Sequence, residues 1–331
     1  MAEKIDEAVL SVTKGAEGFT TDFHKSLAGK NKGNFVSSGL SAHTVLSMAA
    51  YGADGSSAQE MRKTLHLPVN DSHKVDKVTL EVANRIYIAK NMKVREEFKR
   101  LAIDPFRTEA AEMDVTSPKE TVKMINDWVA EKTHQKIKDL MQEDDIRADT
   151  RMTLLNAIYF KANWYTAFNQ KDTRDETFHL GETSEVKVPM MQVTVNTYHG
   201  ELPRMKAKFI ELPYENENVV MIVILPDEVS GLSEIEKHLH SLYPKTLSEA
   251  RDFKEVQVSL PKFKIESTVD LKRVVQRLGM TDMFTDRANF TGIALEPLKV
   301  DKVVQKAFIE VNEKGSEAAA ATSKFTGTQI D

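Results

Sequence analysis

Few polar side chains in this sequence have the types and spacing that catalysis or metal binding requires. The serines stand in no Gly-x-Ser-x-Gly turn, the arrangement that exposes a nucleophilic serine in many hydrolases. Cysteine is absent, which excludes a cysteine nucleophile, thiolate metal ligands and disulfide bonds. His238 and His240 offer two metal ligands if that segment is extended, but no third ligand follows at a telling spacing, so we interpret them as surface histidines. The sequence therefore predicts no enzyme, no metal site and no cofactor.

One segment near the end of the sequence stands out by its small residues. Gly315 is followed by Ser316, Glu317, four alanines (Ala318, Ala319, Ala320 and Ala321) and Thr322. Alanine favours a helix, but no apolar stripe is present that would hold a helix against the rest of the protein. This segment therefore has no packing surface of its own.

The first part of the chain is predicted to be helical. Together with the later strands it must position the small-residue segment. The run from Ser41 to Tyr51 is small and apolar, and a second helical run extends from Ala58 to Leu65. A capping box begins at Ser117 with the residues Ser-Pro-Lys-Glu. Apolar residues then recur at steps of three and four, which predicts one helix that continues to about Leu140.

Strands predominate in the second part of the chain. The apolar run 219–225 stops at a proline and is typical of a central strand. Helices first and strands later, without a Pro/Gly/Ser-rich linker, predict a single α+β domain over residues 1–331. The other predicted strands are 151–160, 186–188, 256–263 and 303–311, and a further helix is predicted at 269–278.

Charge and targeting signals narrow the classes of partner. The 331 residues include 45 Lys and Arg and 50 Asp and Glu, a formal charge of −5, which argues against nucleic-acid binding. No apolar run approaches the length of a membrane span. The N-terminus is charged where a signal peptide would be apolar, so the protein either stays in the cytoplasm or has lost its signal. The glycosylation sequons that begin at Asn70 and Asn289 weakly favour an extracellular protein.

Several segments, in order along nearly the whole chain, resemble the serpin family, and its insect members in particular. The fold that this resemblance implies is α+β, with helices packed around three β-sheets. Its large sheet, sheet A, accepts the reactive loop as an extra strand. The matching segments are Asn34–Ser41, Asn126–Val129, Asn156–Lys161 with Trp164, Val188–Met191, Glu211–Tyr214, Leu260–Phe263 and Val303–Thr322.

The resemblance assigns the small-residue segment to the hinge of a reactive loop at about 313–331. By the family's pattern, Ser316, Ala318, Ala320 and Thr322 would face the core after insertion, and Gly315 would give backbone freedom at the pivot. Small inward residues favour a suicide-substrate protease inhibitor over a non-inhibitory carrier or chaperone of the same family. The hinge residues implied are Gly315, Ser316, Glu317, Ala318, Ala319, Ala320, Ala321 and Thr322.

The resemblance also implies two sets of residues that control sheet A. Trp164 matches the breach, where insertion begins. Gly39 stands where the family usually has proline, and Gln305 where it often has histidine. The family's helix D is expected to be deleted, because only Val69 to Glu81 separate Pro68 from the strand that begins at Val82. Nearby basic residues are interleaved with glutamates, so we expect no heparin site. The shutter residues implied are Asn34, Ser38, Ser41, Asn156 and Gln305.

The resemblance leaves the target and the state of the loop open. Counting from the hinge puts the target residue near Gln329, whereas a cut at the chain end would make it Asp331; the region implied is Thr328, Gln329, Ile330 and Asp331. No Lys or Arg follows Phe325, so a trypsin-like target is not expected, and a papain-like cysteine protease or an elastase-like serine protease remains. We expect a cleaved, monomeric serpin that lacks its C-terminal strands in this chain and holds them as a separate fragment; a shortened chain is the alternative. Residues Ser316 to about Phe325 would then already form an inserted strand.

Overall fold

The computed structural model describes residues 7–29, 33–67, 82–103, 110–216, 218–242 and 244–316. Within these ranges helices precede most of the strands, so the predicted α+β class is confirmed. The helices are α1 (Glu7–Ala28), α2 (Gly39–Tyr51), α3 (Gly55–Thr64), α4 (Glu96–Ile103), α5 (Pro118–Lys132), α6 (Leu232–His238), α7 (Pro244–Ala250) and α8 (Leu271–Arg277). The strands are β1 (Val82–Ala89), β2 (Ala110–Met113), β3 (Met152–Tyr159), β4 (Ala162–Asn163), β5 (Arg174–Gly181), β6 (Ser184–Leu202), β7 (Ala207–Pro213), β8 (Val220–Pro226), β9 (Arg251–Pro261), β10 (Phe263–Asp270), β11 (Val300–Asn312) and β12 (Gly315–Ser316).

The larger sheet has seven strands in the order β2-β1-β3-β11-β12-β4, and β10 also pairs with β11. One face packs against α2 and α8, where the largest apolar core includes Phe19, Leu46 and Leu155. The sequence of β3 shows why it lies at the centre, because its apolar residues alternate with only Thr153 and Asn156 and all are buried up to Ala157. This sheet carries the candidate site.

The smaller sheet contains β5, β6, β7 and β8 in that order, with β9 paired to β6. The prediction of a central strand at 219–225 is wrong in the described part of the chain. There, β8 pairs only with β7, and Leu225 is 53% exposed. A continuous apolar run indicates that both faces of a strand are packed against other residues. It does not show whether a neighbouring strand is hydrogen-bonded to each of its edges.

The helix that begins at Pro118 is shorter than its periodicity predicts. α5 ends at Lys132, and the chain then takes positive φ angles at His134, Gln135 and Asp139. Ile137 and Leu140 are nevertheless buried, so the connection continues the apolar stripe without helical backbone. The predicted capping box is also wrong, because Ser117 makes no side-chain capping hydrogen bond.

Gly39, the first residue of α2, has a steric reason to be glycine. A Cβ atom at this position would lie 2.6 Å from the Cα of Thr20 in α1. The substitution of glycine for the family's usual proline therefore allows α1 to approach the start of α2 closely. The predicted deletion of helix D falls in 68–81, outside the described residues. None of the helices described is both long and apolar enough to cross a membrane.

Candidate functional site at the seam of the large sheet

The central feature of the large sheet is the parallel ladder between β3 and β11, which we call the seam. Eight residue pairs form it, from Val300 opposite Met152 to Phe308 opposite Tyr159. Because the two strands are hydrogen-bonded to each other, no further strand lies between them over this length. The prediction that Ser316 to about Phe325 already forms an inserted strand is therefore wrong between Met152 and Tyr159.

Beyond Tyr159 and Phe308 the two sides of the seam separate, and the start of the hinge occupies the gap. β12, which consists of Gly315 and Ser316, pairs antiparallel with Val311 and Asn312 of β11 on one side. On the other side it pairs antiparallel with Ala162 and Asn163 of β4. The upper end of the seam thus already holds a two-residue strand, whose Ser316 is fully buried.

Halfway along the seam, buried neutral side chains connect β1, β3, β11 and the start of α2. Asn156 donates to Ser41 Oγ and to Asn84 Oδ1. Gln305 Nε2 donates to Asn156 Oδ1 at 2.6 Å and to the Ser38 carbonyl at 2.9 Å, and its Oε1 accepts from the Ser38 N–H at 3.0 Å. We call this set the shutter network: Ser38, Ser41, Asn84, Asn156 and Gln305.

The shutter network includes four of the five shutter residues named from the sequence. Asn34 is exposed and lies outside it. Asn84 was missed, although a buried asparagine within the otherwise apolar strand β1 is a signal that it has a polar partner. It lies directly opposite Asn156 in the antiparallel β1–β3 ladder. Ser38 has a second role, because its side chain accepts from the Ser41 N–H and caps α2.

At the upper end of the seam, two aromatic rings support the hinge strand. Trp164 stacks on Tyr214 with ring centroids 4.5 Å apart and planes 9° apart, and Trp164 Nε1 donates to the Asn312 carbonyl at 2.9 Å. The hydroxyl of Tyr214 lies 2.6 Å from Ser316 Oγ. Burial raises the pKa of Tyr214, and the hydrogen bond with Ser316 opposes that rise. Sequence reasoning named Trp164 but gave Tyr214 no role.

The turn between β11 and β12 is fixed by a buried carboxylate. Glu313 is 4% exposed, its oxygens lie 2.9–3.0 Å from Lys262 Nζ, and Thr173 Oγ1 donates to it at 2.9 Å. The backbone N–H of Phe168 donates to the Glu313 carbonyl at 2.9 Å. Burial raises the pKa of Glu313, but the hydrogen bonds from Lys262 and Thr173 lower it by more. The pKa of this carboxyl is therefore below its usual value.

Gly315 has both a backbone conformation and a close contact that favour glycine. Its φ is +155°, and a Cβ here would lie 2.0 Å from the carbonyl oxygen of Ala162. In the structure Gly315 is buried within β12 and is paired on both sides. Gly315 is thus held within the sheet in this state, and its role as the pivot during insertion stays a prediction.

The connection from α5 to β3 is fastened to the seam by two lysines of β11. Lys306 Nζ donates to the Lys138 carbonyl at 2.6 Å and lies 2.9 Å from Glu266 of β10. Lys302 pairs with Asp145. An aromatic contact joins the last pair of the seam, with the rings of Tyr159 and Phe308 6.3 Å apart. Any strand that enters the seam must separate this pair first.

The remaining predicted site residues lie outside the described residues. These are the hinge from Glu317 to Thr322 and the scissile-bond region from Thr328 to Asp331. In the part of the chain that the structure describes, no three His, Asp or Glu side chains are grouped as metal ligands. His238, one of the two histidines considered from the sequence, instead interacts with Glu234 one turn earlier in α6.

Comparison with known proteins identifies the class of fold that surrounds this site. The model of the serpin (serine protease inhibitor) family matches residues 14–330. Alaserpin of Manduca sexta is 36% identical over 324 residues, which are 92% of this chain and 82% of that protein. The crystal structure of Serpin48 of the insect Tenebrio molitor has a TM-score of 0.87 and 34% identity, and the match covers 97% of this chain and 90% of that one.

One of the structural neighbours is a complex with thyroxine. Thyroxine-binding globulin in complex with thyroxine has a TM-score of 0.82 and 25% identity, with 93% of this chain and 89% of that chain covered. The sequence and structure matches together establish the family: the chain belongs to the serpins. The family is described as one of serine protease inhibitors.

Proposed function

We propose that this protein inhibits a protease by acting as its suicide substrate. The target cuts the reactive loop at about 313–331, and the freed segment then enters the seam behind Ser316. The observation that carries this proposal is the position of β12 at the open upper end of a parallel seam. The names of relatives such as alaserpin agree with inhibition.

The pairing pattern supplies a physical reason for insertion. β3 and β11 are parallel, whereas β12 runs antiparallel to both of its neighbours. Continued insertion in the direction of β12 would replace one parallel ladder with two antiparallel ladders. Each new ladder is slightly more stable per residue than the parallel one, and the number of ladder hydrogen bonds rises. Insertion is therefore favourable once the cut frees the loop.

The covalent step uses the chemistry of the protease. Its serine or cysteine attacks the carbonyl of the target residue, the peptide bond breaks, and the amine of the downstream piece leaves with a proton. The upstream piece stays attached as an ester or thioester. Insertion then carries the attached protease away before water can hydrolyse that bond. The partner is thus one protease molecule per monomeric inhibitor, without a cofactor.

The sequence of the loop restricts the target. No Lys or Arg lies between Phe325 and Asp331, so we do not propose a trypsin-like protease. With the target residue near Gln329, a papain-like cysteine protease or an elastase-like serine protease fits, and we favour the cysteine protease. A cut after Asp331 would instead fit a protease that reads an acidic residue. We place the encounter outside the cell because of the sequon at Asn289, with a cytoplasmic site as the alternative.

A protease panel with two matched hinge variants tests the proposal. The protein should form an SDS-stable complex whose mass is that of the protease plus the upstream piece of the inhibitor. By the family's alternation, Ala320 faces inward and Ala319 outward, so Ala320→Glu should turn the inhibitor into a cleaved substrate while Ala319→Glu should still form the complex.

A carrier or chaperone function is the second candidate, favoured by the similarity to thyroxine-binding globulin. A carrier would be cut without forming a complex with any member of the panel. Thermal unfolding before and after loop nicking separates the two candidates independently. A large rise in melting temperature on nicking supports insertion, and an unchanged melting temperature would leave the carrier function.

A further inference from the structure

The upper end of the seam differs from the rest because the hinge has already entered it. Ser316 is 0% exposed and Tyr214 is 1% exposed, so their hydroxyl contact at 2.6 Å is shielded from water. A buried hydroxyl without a partner is destabilising. Among the described residues, the hydroxyl of Tyr214 therefore has its buried partner in Ser316, which is in place only while the hinge strand is seated.

Apart from the backbone pairing of β12, the neighbouring contacts hold the turn before the hinge. Trp164 N–H donates to the Lys314 carbonyl and Trp164 Nε1 to the Asn312 carbonyl, both at 2.9 Å. Lys262 and Thr173 hold the side chain of Glu313. Beyond Gly315, the side-chain contact that reaches forward to the hinge is the one between Tyr214 and Ser316. The ring of Tyr214 is itself fixed, because it stacks on Trp164.

We propose that Tyr214 is a positioning residue that keeps Ser316 seated in the large sheet before any cleavage, so that loop insertion starts from a strand that already exists. Extension of a paired strand needs only the next residue to be ordered, whereas a new strand must first bring both edges and the loop together. A seated Ser316 therefore shortens the time during which the attached protease can escape by hydrolysis. This consequence for inhibition rests on the proposed function, but the seating itself does not.

The absence of cysteine from the chain allows a direct test of the seating. Ser316→Cys places the protein's only thiol at the hinge, and its reaction with a small aromatic disulfide reagent is followed by absorbance. Ser184→Cys, at an exposed hairpin, and Ser57→Cys, at a fully buried position, give the two reference rates. We expect the thiol at 316 to react at least tenfold more slowly than the thiol at 184. Reaction at a rate similar to that at 184 would overturn the proposal.

Tyr214→Phe then tests whether the hydroxyl holds the seat. It keeps the ring on Trp164 and removes only the oxygen. In the protein that retains Ser316, it should speed hydrogen exchange in the peptide that contains Gly315 and Ser316 about threefold or more, the size expected for loss of one hydrogen bond. Tyr165→Phe is the matched control, because Tyr165 is 65% exposed and lies beside Trp164 in sequence. Equal rates for the two Tyr→Phe variants would overturn the role of Tyr214.

The functional consequence is measured in the protein that retains Ser316. With a protease that forms the complex, Tyr214→Phe should increase the number of inhibitor molecules consumed per protease inactivated, and Tyr165→Phe should leave it unchanged. If no protease forms a complex, the proposed function fails while the thiol rates still decide the seating. If complexes form with the same consumption for both variants, the role of Tyr214 in insertion is overturned.

Discussion

The upper end and the middle of the seam are held by different kinds of interaction. At the upper end, a stacked aromatic pair and the Lys262–Glu313 ion pair support a hinge strand that is already in place. In the middle, neutral amides and hydroxyls hold β3 and β11 together, and Asn156 and Gln305 are completely buried. At the upper end insertion can therefore start without separating two paired strands, whereas in the middle it must separate β3 from β11.

The two regions also respond differently to solvent. Lys262 is 38% exposed in its side chain, so water and salt reach one partner of the ion pair. The shutter network has no titratable member, and its hydrogen bonds are shielded. Loss of one partner there leaves several groups unsatisfied at once, so the middle of the seam should be the more sensitive region.

The largest effect is expected when the middle of the seam is broken at its centre. Asn156→Ala would remove hydrogen bonds to Ser41, Asn84 and Gln305, and should lower the free energy of unfolding by about 3 kcal/mol. The urea midpoint measures the loss. Asn163→Ala is the control, because Asn163 is exposed and its side chain donates to the exposed Glu215. Equal shifts for the two variants would contradict the comparison.

A smaller effect is expected when the ion pair at the upper end is broken. Lys262→Met leaves the buried carboxylate of Glu313 without its cation and should cost about 2 kcal/mol at pH 7, less than a fully buried pair because the lysine is partly exposed. The urea midpoint measures the cost. Lys254→Met, on the exposed face of β9, is the matched control and should change little.

The same variant has a predictable pH dependence. The folded-state pKa of Glu313 is lowered, so its contribution is complete above the unfolded pKa of about 4.3 and is lost as the pH falls through the folded pKa. The wild-type protein should therefore lose this contribution in acid, and Lys262→Met should lose less. Parallel urea midpoints from pH 7 to pH 3 for the two proteins would show that Glu313 gains nothing from Lys262.

A still smaller effect is expected at the connection that lies over the seam. Lys306→Met would release the Lys138 carbonyl and Glu266, at a cost of about 1 kcal/mol. Hydrogen exchange in the peptide 133–141 should become faster, because Lys306 fastens this connection to β11. Lys123→Met, which removes an exposed pair with Asp127, should leave that exchange unchanged. Unchanged exchange in Lys306→Met would show that the lysine does not fasten the connection.

The sequence predicted which residues belong to the seam better than it predicted how they are arranged. The sequence predicted four members of the shutter network, because segments along nearly the whole chain resemble one family in the same order. These four are Ser38, Ser41, Asn156 and Gln305. Asn84 and Tyr214 received no role, since their partners become visible only from the register of β1 with β3 and from the place of Ser316. A residue pattern reports the chemistry of one strand and not the neighbour that lies beside it.

The errors have physical reasons of the same kind. The apolar run at 219–225 predicted a central strand, but in the described structure it lies at the edge of the smaller sheet. The residue pattern of one strand does not show which of its edges are paired. Periodicity extended α5 to Leu140, because buried residues continue beyond Lys132 without helical backbone. The close approach of Ala162 to Gly315 was not predicted, because it depends on a contact across the sheet.

The smallest expected effect sharpens the comparison by making the middle of the seam titratable. In the shutter network Gln305 both donates and accepts, and a neutral histidine offers one donor and one acceptor. Gln305→His should therefore fold, but protonation would turn the acceptor towards the Ser38 N–H into a donor. Burial lowers the folded pKa of such a histidine, so stability is lost as the pH falls through the unfolded value of about 6.5. The variant should lose about 1 kcal/mol relative to wild type between pH 7 and pH 5.5, measured as the difference in urea midpoints. A constant difference across that range would mean that water reaches the middle of the seam. The upper end and the middle would then differ in position but not in their access to water.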